Sequence, residues 1–148
     1  MSSLNFSPRK YLEQILITRG LTSADGRVLY QYQLSVGEFK EIENILKKSF
    51  PFQNINRIGD EWARLFTLYA AEWFRREYTA KWTWDPILTA LNIVNLPVNT
   101  RNEVVIKGLR FWKRPIIKYS KANNYLGSIF KEGGFPARLL KEDGNRYI

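Results

Sequence analysis

The chain has 148 residues and carries 23 Lys and Arg against 14 Asp and Glu, a formal net charge of +9. Hydrophobic residues make up 45% of it and aromatic residues 15%, enough for one folded domain with its own core. There is no cysteine and no histidine, which excludes disulfides, thiolate metal sites and histidine-based catalysis.

The first residues contain neither a basic segment nor an apolar run of the kind found in secretory signals. No stretch approaches about 18 uninterrupted apolar residues, the length that a transmembrane helix needs. We therefore expect a cytoplasmic protein without a membrane partner.

The first third of the chain predicts a helix followed by a short extended segment. Ser7 is a candidate N-cap before Pro8, and apolar residues recur at helical spacing until Gly20. A turn signal at 24–27 then precedes a short alternating run, which predicts an extended segment near 27–33.

A capping box formed by Ser35 and Glu38 predicts a second helix that ends before Pro51. Asp60 can cap the next helix, predicted over 60–78. That helix is apolar around most of its circumference, which is typical of a central, buried helix.

The second half predicts three further helices. Asp85 and Pro86 begin a short one. A second capping box, Thr100 with Glu103, predicts the start of another, which Pro115 should kink or break one turn earlier. The last is expected over about 121–131. The sequence thus predicts a single all-α domain over 1–148, with about five to seven helices around the central helix 60–78.

The positive charge is concentrated in the second half of the chain. Residues 1–74 hold nine basic and eight acidic residues, whereas residues 75–148 hold fourteen and six. No acidic residue occurs between Glu103 and Glu132. The cations of that interval are Lys107, Arg110, Lys113, Arg114, Lys118, Lys121 and Lys131.

Five of these cations follow spacings of three or four and would share one helix face if the axis continued past Pro115. Three interpretations are open: a plain solvated surface, a binding site for an anionic partner, or contact with a membrane surface. The sequence favours a non-catalytic module that binds nucleic-acid phosphates without sequence specificity. The expected site residues are Lys107, Arg110, Lys113, Arg114, Lys118 and Lys121, with Arg75, Arg76 and Trp82 as auxiliaries.

An alternative is a protein–protein docking module for an acidic partner or a larger assembly. Three tryptophans lie close together in the sequence, and aromatic residues beside arginine are typical of interface hot spots. We expect Trp73 to belong to the core, whereas Trp82 or Trp84 could present a face to a partner.

Nothing in the sequence indicates an enzyme, and we expect no cofactor. No phosphate-binding loop, dinucleotide fingerprint or nucleophile–base spacing is present. A metal-dependent enzyme using Glu72, Glu77 or Asp85 is a third alternative, but these acids are more natural as caps and ion-pair partners of neighbouring basic residues.

Several phrases along the chain resemble a known group of proteins. They are Thr18–Leu21, Asp25–Tyr32, Leu68–Arg76, Trp82–Ile87, Tyr125–Gly127 and Glu132–Pro136. Their order resembles the N-terminal region of large bacterial proteins encoded on genomic islands, often beside phage-defence genes. The resemblance implies an N-terminal module of a longer protein, whose shared phrases serve packing and docking, and it supplies no catalytic motif.

Overall fold

The structure, a computed structural model, describes residues 7–51, 57–77, 83–94, 96–118 and 125–134. Those ranges contain α-helices and a single-turn 3₁₀ helix and no β-strand, which confirms the predicted all-α class. The helices are α1 (Pro8–Thr18), α2 (Val36–Ser49), α3 (Asp60–Glu77), α4 (Asp85–Ala90), α5 (Val98–Phe111) and α6 (Leu126–Glu132), and the 3₁₀ helix is Leu29–Tyr32.

The ends of α1 and α2 follow the local signals in the sequence. The backbone N–H of Lys10 donates to Oγ of Ser7, and Pro8 opens α1. After α1, Gly20 adopts a φ of +75°, a left-handed conformation that glycine reaches without steric cost. The capping box of α2 is complete in both directions between Ser35 and Glu38.

Helix α3 is the central helix, as predicted. Twelve of its residues are buried, and it packs against α1, α2, α5, α6 and the 3₁₀ helix. The indole N–H of Trp62 donates to the carbonyl oxygen of Leu46 at 3.0 Å, which ties α3 to α2. Trp73 is buried, as expected, and so is Trp84, whose ring stacks on Phe66.

Helices α3 and α5 approach each other closely at Gly108. A Cβ added there would lie 1.8 Å from Oγ1 of Thr67 and 2.9 Å from the carbonyl oxygen of Ala63. Both groups belong to the buried side of α3, where the Thr67 hydroxyl donates to that same carbonyl. Only a residue without a side chain lets α5 lie this close to the central helix.

Three local predictions were wrong. The segment near 27–33 contains a 3₁₀ turn, in which Leu29 and Tyr32, three residues apart, are both buried on the same side.

Asp60, the expected cap of α3, is instead its first helical residue. Helix α5 begins at Val98, and the carbonyl of Pro97 accepts the N–H of Arg101 at 2.8 Å. Thr100 therefore lies inside the first turn and cannot act as the predicted cap.

An ion pair between Arg19 and Glu38 fastens the end of α1 to the start of α2. Two guanidinium nitrogens donate to the two carboxylate oxygens at 2.8 and 2.7 Å, and both side chains are mostly buried. The hydrogen bonds from Arg19 hold the pKa of Glu38 below its ordinary value. Glu38 also accepts the N–H of Ser35, so one carboxylate serves the cap and the ion pair.

This pKa shift predicts a pH-dependent contribution to stability. The lowered folded-state pKa means that Glu38 stabilises the fold above its unfolded value of 4.5 and loses this contribution as the pH falls through the folded value. We expect Glu38→Gln, which retains a capping side chain, to cost about 1–2 kcal/mol at pH 7. Urea denaturation should show the gap to the wild type closing below pH 4.5; a gap constant down to pH 3 would contradict this.

Candidate functional site

The predicted basic residues do not form one helical stripe. Helix α5 ends at Phe111, one turn before Pro115 as expected, and Lys113 adopts a φ of +60° that turns the chain away from the helix axis. Lys107 and Arg110 therefore project from α5, whereas Lys113, Arg114 and Lys118 belong to the irregular segment that follows. Lys121 and Trp82 lie outside the described residues.

Arg114 has a structural role that the sequence did not reveal. Its Nε donates to both carboxylate oxygens of Glu132 at 2.9 Å, and its Nη1 donates to the carbonyl of Gly26 at 2.6 Å. The N–H of Leu29 donates to Glu132 as well. The side chain of Glu132 is 1% exposed and that of Arg114 13%. This pair joins three distant segments of the chain, and its guanidinium is not free for a ligand.

An open cleft of about 240 Å³ lies where the start of α3 meets the end of α5. Asp60, Arg64, Lys107, Arg110 and Phe111 line it. The Lys107 ammonium is 3.2 Å from the Asp60 carboxylate, and both side chains are about half exposed. Within the described ranges, Arg110 is exposed and has no carboxylate within ion-pair distance.

Arg64 belongs to this cleft although sequence reasoning missed it. Its guanidinium lies 4.5 Å from the centroid of the Phe111 ring, and the indole N–H of Trp112 donates to its carbonyl oxygen at 2.9 Å. It also approaches the Glu61 carboxylate at 4.0 Å. Arg64 occurs in the half of the chain whose charges nearly cancel, so only the crossing of α3 and α5 places it beside Lys107 and Arg110.

The two expected auxiliary arginines at the end of α3 differ in their surroundings. Arg76 donates to Glu72 and to the carbonyl of Leu34, both at 2.6 Å, and covers the ring of Phe39. Burial raises the pKa of Glu72, while Arg76 opposes the shift. The guanidinium of Arg76 is therefore occupied by contacts within the domain and is not free for a ligand.

Arg75 instead faces a second cleft. Its guanidinium lies 5.3 Å from the centroid of the Tyr30 ring, and Arg75, Tyr30, Gly133 and Gly134 line a cleft of about 300 Å³. Gly134 has a φ of +105°, and its backbone runs alongside the Tyr30 ring. Arg75 is exposed, and in the described part of the chain no carboxylate pairs with it.

The carboxylates considered for metal-dependent chemistry are dispersed. In the described ranges, no group of three or more acidic side chains could hold a metal ion. Glu72 pairs with Arg76, Glu77 is the last residue of α3, and Asp85 is the first residue of α4. The helices that the structure describes also include none with the length and apolar character needed to span a bilayer.

The chain is similar to one curated protein of much greater length. It is 37% identical over 142 residues to Protein YjiT of Escherichia coli (strain K12), and the alignment covers 93% of this chain and 27% of that protein. The chain therefore spans about a quarter of its relative, which confirms the expected similarity to part of a larger bacterial protein. No solved structure matches the chain. Residues 2–135 match the model of the YjiT N-terminal domain, and the chain belongs to that family.

Proposed function

We propose that this domain is a non-catalytic binding module that contacts nucleic-acid phosphates in a bacterial cytoplasm, as part of a defence-type system. The observation that carries the proposal is the convergence of Arg64, Lys107 and Arg110 on one open cleft. Lys113 and Lys118 are exposed on the segment that follows α5, and the proposal includes them as further phosphate contacts. The defence context rests on the resemblance of the sequence phrases alone.

The acids of the cleft do not prevent phosphate binding. In the described ranges, Asp60 and Glu61 are the carboxylates that pair with the cations of the cleft; the pairs with Lys107 and Arg64 are partly exposed and lie at 3.2 and 4.0 Å. Exposed ion pairs of this kind contribute about 0–1 kcal/mol, so an incoming phosphate can replace the carboxylate at little cost. Arg110 offers a planar guanidinium that can hold a phosphate through two hydrogen bonds.

The surroundings of Arg114 and Arg76 remove them from the proposed phosphate contacts. Replacing Arg114 would leave Glu132 buried without its cation and would destabilise the fold, so loss of binding in such a variant would be uninformative. The residues that can be tested without this complication are the exposed ones, and Arg110 and Lys113 are the best pair.

We expect Arg110→Glu combined with Lys113→Glu to elute from a DNA column at much lower salt than the wild type. Five phosphate contacts predict a slope of log K against log salt of about −3.5 for single strands, and losing two should reduce it by about 1.5. Lys10→Glu with Lys40→Glu, on α1 and α2, changes the net charge equally and is the matched control. Equal losses in the two variants would indicate bulk charge and contradict a local site.

A docking function is the second candidate, and one observation favours it. Val94 is 99% exposed and Val98 48% exposed, so the connection between α4 and α5 presents apolar side chains to solvent. Trp84, considered for such a surface from the sequence, is buried at 3% exposure and cannot contribute. If the wild-type chain is not retained on the DNA column at low salt, this candidate replaces the first.

A further inference from the structure

The two clefts lie at opposite ends of the same face of α3. Arg64 and Arg75 are eleven residues apart, which at 100° per residue is about three turns plus 20°. With a rise of 1.5 Å per residue, their Cα atoms are about 16 Å apart along the helix axis. Each arginine lies over an aromatic ring, Phe111 in the first cleft and Tyr30 in the second.

Buried aromatic side chains link the surroundings of the two clefts. Trp112 donates to the carbonyl of Arg64 and contacts the edge of Tyr32, with ring centroids 4.9 Å apart. Tyr32 lies two residues after Tyr30, the ring under Arg75. The half-buried Arg27 lies 4.8 Å from the centroid of Tyr32 and pairs with the Asp25 carboxylate at 2.6 Å, so it is not counted among the binding residues. Helix α3, which carries both Arg64 and Arg75, sets the distance between the clefts.

We propose that an extended single strand of nucleic acid binds over the segments that cover this face of α3, with phosphates at the first cleft and a base stacked at the second. We call the surface the arginine track and define it by Arg64, Lys107 and Arg110 at the first cleft and Arg75 at the second. The inference rests on the proposed nucleic-acid function and adds which form of nucleic acid is bound, and where.

The chemistry of the second cleft distinguishes a single strand from a duplex. Arg75 there has no carboxylate partner in the described part of the chain, and its guanidinium lies over Tyr30. An unpaired base can stack on a guanidinium plane or an aromatic ring, whereas a duplex keeps the faces of its bases stacked on one another. At the roughly 3.4 Å per phosphate of a stacked strand, about 16 Å corresponds to about five nucleotides, and an extended strand crosses the same distance with fewer. The track therefore matches a short single-stranded segment.

The test is a fluorescence-anisotropy titration of the 148-residue chain at low salt with a labelled twelve-nucleotide oligo-dT. A twelve-base-pair duplex and a twelve-residue poly-glutamate peptide are the competing ligands. We expect the single strand to bind most tightly. Arg75→Ala should weaken its binding about 5- to 150-fold, the range expected for a lost stacking contact, and should weaken duplex binding less than about 3-fold.

Arg75→Lys separates stacking from charge, because lysine keeps the positive charge and lacks the planar guanidinium. We expect it to lose nearly as much single-strand affinity as Arg75→Ala, while the control Arg9→Lys, at an exposed position of α1, loses none. Tyr30→Leu should behave like Arg75→Lys.

The outcomes separate this inference from the proposed function. Binding of neither nucleic acid would overturn both. Binding that is tighter for the duplex, or that Arg75→Lys and Tyr30→Leu leave unchanged, would overturn the arginine track alone. Equal affinity for poly-glutamate would overturn the track in favour of an acidic protein partner.

Discussion

Glu132→Ala is expected to lower the free energy of unfolding by about 3–5 kcal/mol, a large part of the 5–15 kcal/mol typical of a domain. The substitution leaves the mostly buried guanidinium of Arg114 without its carboxylate and removes the acceptor for the N–H of Leu29. For a chain of this length, each kcal/mol corresponds to about 2–4 °C in melting temperature. Thermal and urea denaturation measure the effect directly.

Glu13→Ala is the matched control, because Glu13 also pairs with an arginine, Arg9, but with side chains 58% and 74% exposed. We expect it to cost no more than about 0.5 kcal/mol. In a double-mutant cycle, Glu132→Met with Arg114→Met should be less destabilised than Glu132→Met alone, because no unpaired charge remains buried. Equal costs for Glu132→Ala and Glu13→Ala would show that the buried pair does not join the three segments.

Gly108→Ala is expected to destabilise the domain by about 3 kcal/mol, at the upper end of the usual cost of overpacking. The new methyl group would overlap the side chain of Thr67 and press on the carbonyl of Ala63. Thr67 is fully buried and hydrogen-bonded to that carbonyl, so it cannot rotate away freely. The helices must separate instead, and urea denaturation should record the loss.

Gly37→Ala provides the control for helix propensity. Gly37 lies in the first turn of α2, where an added Cβ would come no closer than 3.8 Å to Oγ of Ser35. Alanine there should be neutral or stabilising by up to about 1 kcal/mol, because it reduces the freedom of the unfolded chain. A Gly108→Ala variant as stable as Gly37→Ala would contradict the close crossing of α3 and α5.

The positions of helix starts and stops could be predicted where they depend on neighbouring residues in the sequence. The caps at Ser7 and Ser35 and the stop at Gly20 depend on residues within one turn, and the structure confirms them. The cap expected at Thr100 was wrong because α5 starts earlier: the carbonyl of Pro97 accepts the N–H of Arg101, the first hydrogen bond of the helix. The sequence pattern alone did not show at which residue of 97–100 the helix would begin.

The residues of the candidate site were harder to predict from the sequence. The long interval without acids suggested a uniform basic surface, yet Glu132, just beyond that interval, pairs with Arg114. Arg64 had no neighbouring basic residues in sequence and was not considered. Lys107, Arg110, Lys113 and Lys118 remain predicted candidates for phosphate contact, Arg75 is assigned to stacking in the arginine track, and the anion-binding function itself remains a proposal.

The amino-acid sequence by itself determined the helical class, the central position of α3 and the excess of positive charge in the second half. These follow from periodicity, capping and composition, which are properties of neighbouring residues. Which cations are free was decided only by tertiary structure, because a charge is neutralised by whatever side chain the fold brings beside it. Glu132, the last residue of α6, pairs with Arg114 in the segment after α5, and the crossing at Gly108 places Arg64 beside Lys107.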